Sequence, residues 1–273
     1  MLKNTIRKII YPVIKSRPDF LVIGTQKAGT TSLYNYLIQH PQMIKNKSWK
    51  EVRYYDLPEN YCQGWGWYLS QFPSKREKGS RLTCDTSPSY LYFPHIPPLI
   101  KQDLGDIKMI AILREPTSRA YSAWKMYHSF GTNADVAPIN QKIADRRSFP
   151  EAIEQELSHQ LPENIYPYDY IGRGRYAEQL ERYFTIFPRE NFLVLESKQL
   201  QNSLTETLTQ VCEFIGIDPF SEELLGKLSE EKYNVGLRKE PSDDIQATLN
   251  QLKDYYRPYN ETLYQLLGQR YDW

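Results

Sequence analysis

Short apolar runs that end in polar, glycine-bearing turns alternate along this chain with longer stretches whose apolar residues recur three and four apart. The run Asp19-Phe-Leu-Val-Ile-Gly24 precedes a turn and then Ser32-Leu-Tyr-Asn-Tyr-Leu-Ile, whose helical spacing predicts strand, loop and helix in succession. A second strand is predicted over 107–113, with a helix opening at Glu115-Pro116, because proline is well placed in a first helical turn. A third strand falls over 191–196, after a helix-like stretch from Tyr176 to Phe187 and the turn Pro188-Arg-Glu190. Helical spacing also marks 149–157, 203–215 and 242–267, and long loops are expected over 131–148 and 158–173. Short strands alternating with helices take right-handed crossovers into a parallel sheet. The expected fold is therefore α/β, a P-loop-like three-layer arrangement with a central parallel sheet flanked by helices.

Composition changes this picture little. A chain of 273 residues with 40% hydrophobic content can bury one large core, so residues 19–273 are expected to form a single domain behind an arm over 1–18. The arm is basic, and Tyr11, Pro12 and Lys15 interrupt its apolar stretch, so it predicts a surface segment; a peripheral membrane contact is the lesser alternative and a transmembrane segment is not expected. Lys plus Arg (34) nearly cancel Asp plus Glu (33), which removes a general field for nucleic acid. Cys62, Cys84 and Cys212 lack the spacing of a zinc or redox site and suit a reducing, cytoplasmic setting.

The chemistry concentrates in Gly24-Thr-Gln-Lys-Ala-Gly-Thr-Thr-Ser32. Gln26, Lys27, Ala28, Gly29, Thr30, Thr31 and Ser32 offer successive backbone N–H groups, a lysine and hydroxyls at a helix N-terminus, the ingredients of an anion cradle. A nucleoside-triphosphate loop places lysine directly after its second glycine; here Thr30 stands there and Lys27 lies inside the loop. A less charged transferring group, such as sulfuryl, needs no carboxylate-held metal. A second pair follows at the next strand end: Arg114, suited to phosphate through its charged fork, and Ser122, eight residues on.

Together these two motifs resemble the sulfotransferases that use 3′-phosphoadenosine 5′-phosphosulfate (PAPS). The resemblance implies that Thr25 to Thr31 hold the 5′-phosphosulfate and that Arg114 and Ser122 hold the 3′-phosphate. The segment Lys50-Glu-Val-Arg-Tyr-Tyr-Asp56 resembles that of the heparan sulfate and related carbohydrate sulfotransferases, which implies Glu51 as the base; in an in-line transfer Lys27 of the loop is then expected to stabilise charge on the leaving oxygen. Asp85-Thr-Ser-Pro-Ser-Tyr90 resembles the family's acceptor segment, with an extra Ser87 before the proline, and Gly174-Arg-Tyr176 resembles the glycine-x-tyrosine helix that precedes the third strand. Lys50, Arg53, Asp85, Ser87 and Tyr176 are thus the expected acceptor-side residues. Leu237-Arg-Lys-Glu-Pro241 resembles a late basic loop over the nucleotide. It departs from the pattern at Gly236 and Leu237, so only Arg238 and Lys239 carry over as 3′-phosphate ligands.

Golgi members of the family also carry a membrane anchor and a disulfide before that loop; neither is read here, and a soluble cytoplasmic enzyme is expected. The expected acceptor is a hydroxyl of a small molecule or, by preference, an oligosaccharide. Basic clusters at Lys45/Lys47/Lys50/Arg53, Arg146/Arg147 and Arg173/Arg175 can line an anionic cleft, although such charge runs are more often solvated faces. Trp49, Trp65, Trp67, Tyr54 and Tyr55 can stack on sugar rings, although most aromatics are core. Two alternatives stand beside this reading: a magnesium-dependent P-loop nucleotide kinase, and a protein of the same fold that binds the product nucleotide, PAP, without turnover.

Overall fold

The computed structural model describes residues 10–48, 50–133, 136–159, 168–230 and 241–273. In chain order the main elements are β1 (Phe20–Gly24), α1 (Thr30–Leu37), β2 (Cys84–Thr86), α2 (Ile96–Leu104), β3 (Lys108–Leu113), α3 (Pro116–Thr132), α4 (Phe149–Leu157), α5 (Tyr176–Phe184), β4 (Phe192–Glu196), α6 (Leu204–Ile215), α7 (Glu222–Glu230) and α8 (Asp243–Leu267). One-turn helices connect several of them, and among the described residues no helix is long and apolar enough to cross a membrane.

The strands form one parallel sheet in the order β2-β1-β3-β4. Every residue of β1 is buried, which is why it reads as an unbroken apolar run rather than an alternating one. Phe20 and Val22 share a face with Ile110, Ile112, Leu193 and Leu195, and that face packs on Leu33 and Leu37 of α1 and on Leu208, Val211 and Ile215 of α6. Ile23, Met109 and Ala111 alternate to the opposite face and are equally buried. The expected α/β architecture is the one observed. The expectation of three strands omitted β2, a three-residue edge strand paired with β1 through Cys84, Asp85 and Thr86.

The chain divides into two compact units, Met1–Leu113 with Arg182–Val235, and Arg114–Glu181 with Gly236–Trp273. The first holds the sheet. The second has its own core, in which Ala120, Ala123, Trp124 and Tyr127 of α3 meet Phe149, Ala152 and Ile153 of α4 and Leu252 and Tyr256 of α8. The helices of this second core follow the spacing read from sequence: α4 spans Phe149–Leu157, and α8 runs to Leu267 through Pro258.

Candidate active site

The turn between β1 and α1 is set by close approach and backbone handedness. A Cβ at Gly24 would lie 2.8 Å from Leu91 Cβ, so the strand end admits only glycine there without a shift. Thr25 N–H donates to the Ile112 carbonyl of β3 at 2.9 Å, and Ala28 N–H folds back to the Thr25 carbonyl at 3.1 Å. Gly29 caps α1 with φ at 103°, a conformation side chains avoid. Lys27 takes φ of 71°, and among the described residues only Arg53 and His159 join it as non-glycines at positive φ. Such a backbone costs a residue with a Cβ about 1 kcal/mol or more, and it is sustained where the surroundings fix it. The left-handed Lys27 and Gly29 turn successive N–H groups together at the start of a helix, as in anion-binding nests. The Thr25 hydroxyl is buried there without a partner among the described residues. Gln26, Lys27, Gly29, Thr31 and Ser32 are half-buried, whereas Ala28 and Thr30 are buried. These groups fit an oxyanion.

Lys50 connects this loop to the expected base. Its ammonium donates to Thr31 Oγ1 and to Glu51 Oε1, each at 2.8 Å. The Lys50 side chain is 6% exposed and that of Glu51 36%, so the carboxylate reaches solvent while its cation does not. The segment that carries Glu51 is not a strand; side chains hold its backbone. Asn46 Nδ2 donates to the carbonyls of Lys50 and Cys84, both at 3.2 Å. Arg53 N–H donates to Ser87 Oγ at 3.0 Å, Tyr54 N–H to Tyr90 Oη at 2.9 Å, and Val52 N–H more weakly to Asp85 Oδ1 at 3.4 Å. Asp85 is the hub: it also accepts from Ser87 Oγ at 2.7 Å, Tyr90 Oη at 2.9 Å and Tyr68 Oη at 3.2 Å. Burial pushes its carboxyl up to about 6, against the opposing pull of the Ser87 and Tyr90 hydroxyls.

In the second unit, Glu115 caps α3 by accepting from Thr117 and Ser118 N–H at 2.9 and 2.7 Å. That fixes the chain direction one residue after Arg114. Tyr176 Oη donates to the Arg114 carbonyl at 2.8 Å. Burial lowers the Arg114 guanidinium from its ordinary value, opposed by Tyr176 and Glu115. Ser122 lies two turns into α3 and is half-buried. Gly174 has its own physical reason: a Cβ there would meet Tyr256 Oη at 2.5 Å, and Tyr256 Oη donates to the Ile171 carbonyl at 2.9 Å.

Several expectations change in detail. Asp85 and Ser87 are 0% exposed and their polar atoms serve the 50–54 segment, so they position that segment rather than face an acceptor. Tyr176 is likewise interior and serves Arg114, and Lys50 is an internal link. Arg53 is half-buried and paired with Asp56 through Nε and Nη2 at 3.0 and 2.9 Å. Of the basic clusters, Arg147 is held by Asp145 through two contacts at 2.9 and 2.7 Å, and Arg173 is buried. Tyr54 and Tyr55 are core; Tyr54 stacks on Tyr68 with centroids 4.8 Å apart. Arg238, Lys239 and Trp49 lie outside the described residues. Asn46, Tyr68 and Tyr90 escaped the sequence reading as positioning groups; Tyr90 alone had a signal, as the last residue of a quoted motif.

The Sulfotransferase domain family matches residues 17–248. The bifunctional heparan sulfate N-deacetylase/N-sulfotransferase 4 of Mus musculus is 30% identical over 92% of this chain, which spans only 30% of that protein's length. Heparan sulfate glucosamine 3-O-sulfotransferase 5 of Mus musculus is 22% identical, over 97% of this chain and 76% of its own. Among solved structures, a sulfotransferase from Alicyclobacillus acidocaldarius superposes with a TM-score of 0.66 at 21% identity, covering 94% of this chain and 98% of that one. A mouse sulfotransferase complexed with PAP gives 0.50 at 17% identity, over 79% of this chain and 64% of its own. With the family match spanning most of its length, the chain belongs to the sulfotransferase domain family.

Proposed function

We propose that this protein transfers a sulfuryl group from PAPS to a hydroxyl of a carbohydrate. Lys50 carries the reading, since its ammonium joins Thr31 of an anion-binding turn to the carboxylate of Glu51, placing a candidate base beside the turn that would hold the donor. In this mechanism the N–H groups of residues 26–32 bind the 5′-phosphosulfate. Glu51 takes the acceptor proton as the acceptor oxygen attacks sulfur opposite the bridging oxygen. That S–O bond breaks, PAP leaves, and Lys27 stabilises the charge developing on its oxygen. The family resemblance assigns Arg114 and Ser122 to the 3′-phosphate, and Arg238 and Lys239 to the same group.

The heparan sulfate relatives support a saccharide acceptor. Free Cys62, Cys84 and Cys212 support a reducing, cytoplasmic setting. Residues 19–273 act as one sulfotransferase domain in this reading. The test is transfer of radiolabelled sulfate from PAPS to heparan sulfate, offered in N-sulfated form, where only hydroxyls remain, and in de-N-sulfated form. Label entering the N-sulfated chain, and falling ~10²-fold or more in Glu51→Gln, is expected. Full activity of Glu51→Gln would remove Glu51 as the base, and label confined to the de-N-sulfated chain would move the acceptor from hydroxyl to amine.

A further inference from the structure

Lys50 is placed unlike an ordinary neighbour of an acidic residue. Its Nζ has three N–H donors, and two are committed, at 2.8 Å each, to groups from different parts of the chain: Thr31 in the first turn of α1, and Glu51 in a segment with no regular structure. The side chain is 6% exposed, so water is a poor substitute for either partner. Its backbone is pinned as well, because Asn46 bridges the Lys50 carbonyl to the Cys84 carbonyl at the start of β2. The lysine is fixed at its base by the sheet edge and at its tip by the loop. Beyond it, Val52, Arg53 and Tyr54 are held by Asp85, Ser87 and Tyr90, so Glu51 lies between two anchored stretches, with Lys50 Nζ on its carboxylate.

Resting on the donor and base assignments above, we infer that Lys50 is a positioning residue that couples the donor loop to the base, setting where the Glu51 carboxylate lies through its shared bond to Thr31. Transfer demands an aligned attack, and a displacement of about 1 Å can cost ~10²-fold in rate. A tether of this kind acts on turnover more than on donor affinity. It also requires an ammonium: the planar fork of arginine is longer and cannot place one nitrogen on both oxygens in the same way.

The experiment compares Lys50→Met and Lys50→Arg with the wild type, using radiolabelled PAPS and heparan sulfate for rate, and calorimetric titration of PAP for affinity. Lys50→Met is expected to lower kcat ~10²-fold while the KM for PAPS stays within about threefold, with Lys50→Arg restoring less than a tenth of the lost rate. A raised KM with unchanged kcat would make Lys50 a donor ligand and overturn the inference, as would full rescue by arginine. A second measurement is a double-variant cycle on the same rate. If Lys50 acts through Thr31, the losses of kcat in Thr31→Val and Lys50→Met are not additive, and the double variant turns over no more slowly than the slower single one. Strict additivity would overturn the coupling. Failure of the wild type to bind PAP at all is a different result, since it removes the donor assignment itself.

Discussion

Two neighbouring stretches of the first unit reach a defined shape by opposite means. The 24–32 loop is held by backbone: a strand end, a bond from Thr25 to β3, a glycine at the helix cap. The 50–56 segment is held by other residues' side chains, with Asn46, Asp85, Ser87 and Tyr90 standing where strand partners would otherwise be. Backbone-held structure survives most side-chain changes, because the bonds belong to the chain itself. Side-chain-held structure depends on single residues whose loss leaves several buried groups without partners. The candidate base sits in the fragile stretch and the candidate anion site in the robust one.

The contrast can be broken most directly at Asp85. Asp85→Ala would strand the hydroxyls of Tyr68, Tyr90 and Ser87 in the interior, and is expected to cost about 3 kcal/mol in denaturant unfolding. A loss under about 0.5 kcal/mol, typical of surface sites, would mean the segment is not held as described.

Lys27→Ala sharpens the robust side. The loop backbone should persist, so PAP still binds, while turnover falls ~10²-fold or more as the charge on the leaving oxygen loses its partner. Unchanged turnover would exclude that role for Lys27.

A further effect is expected in pH dependence. Asp85, raised from 3.8 to about 6 by burial, binds a proton in the folded protein that the unfolded chain has already lost. Its contribution to stability is therefore complete below about pH 3.8 and lost as pH rises through about 6. In the second unit, Glu156 is raised by burial from 4.5 to about 8, although it accepts from Tyr170 and Ile171 N–H, so its contribution is complete below about 4.5 and lost through about 8. Unfolding measured across this range should show stability falling with pH. Asp85→Asn should flatten the lower part of that fall and Glu156→Gln the upper part. A fall unaffected by Glu156→Gln would assign the upper window to another group.

The same contrast explains what the sequence disclosed. The 24–32 loop was legible because a buried parallel strand writes itself as an apolar run, and glycine marks the turn that follows it. The start of α3 at Pro116 and the whole of α4 were legible from capping and spacing. Strand β2 was not, because Thr83-Cys-Asp-Thr-Ser contains one apolar side chain and its central Asp85 is buried for its hydrogen bonds rather than its hydrophobicity. The interior roles of Asp85, Ser87 and Tyr176 were hidden for the same reason: a motif shows that polar residues stand together, but only tertiary partners decide whether they face solvent or the chain. Glu51 was named from resemblance, and the bonds of Lys50 to it and to Thr31 had no periodic signal to reveal them.

Donor recognition tests the account most directly. PAP titrated calorimetrically into the protein without magnesium, with ATP in parallel, should bind at micromolar concentration, bind much more tightly than ATP, and lose affinity at least ~tenfold in Arg114→Ala, the share of one charged hydrogen-bonding partner. Tight, magnesium-dependent ATP binding with no response to PAP would contradict it and point instead to a nucleotide kinase.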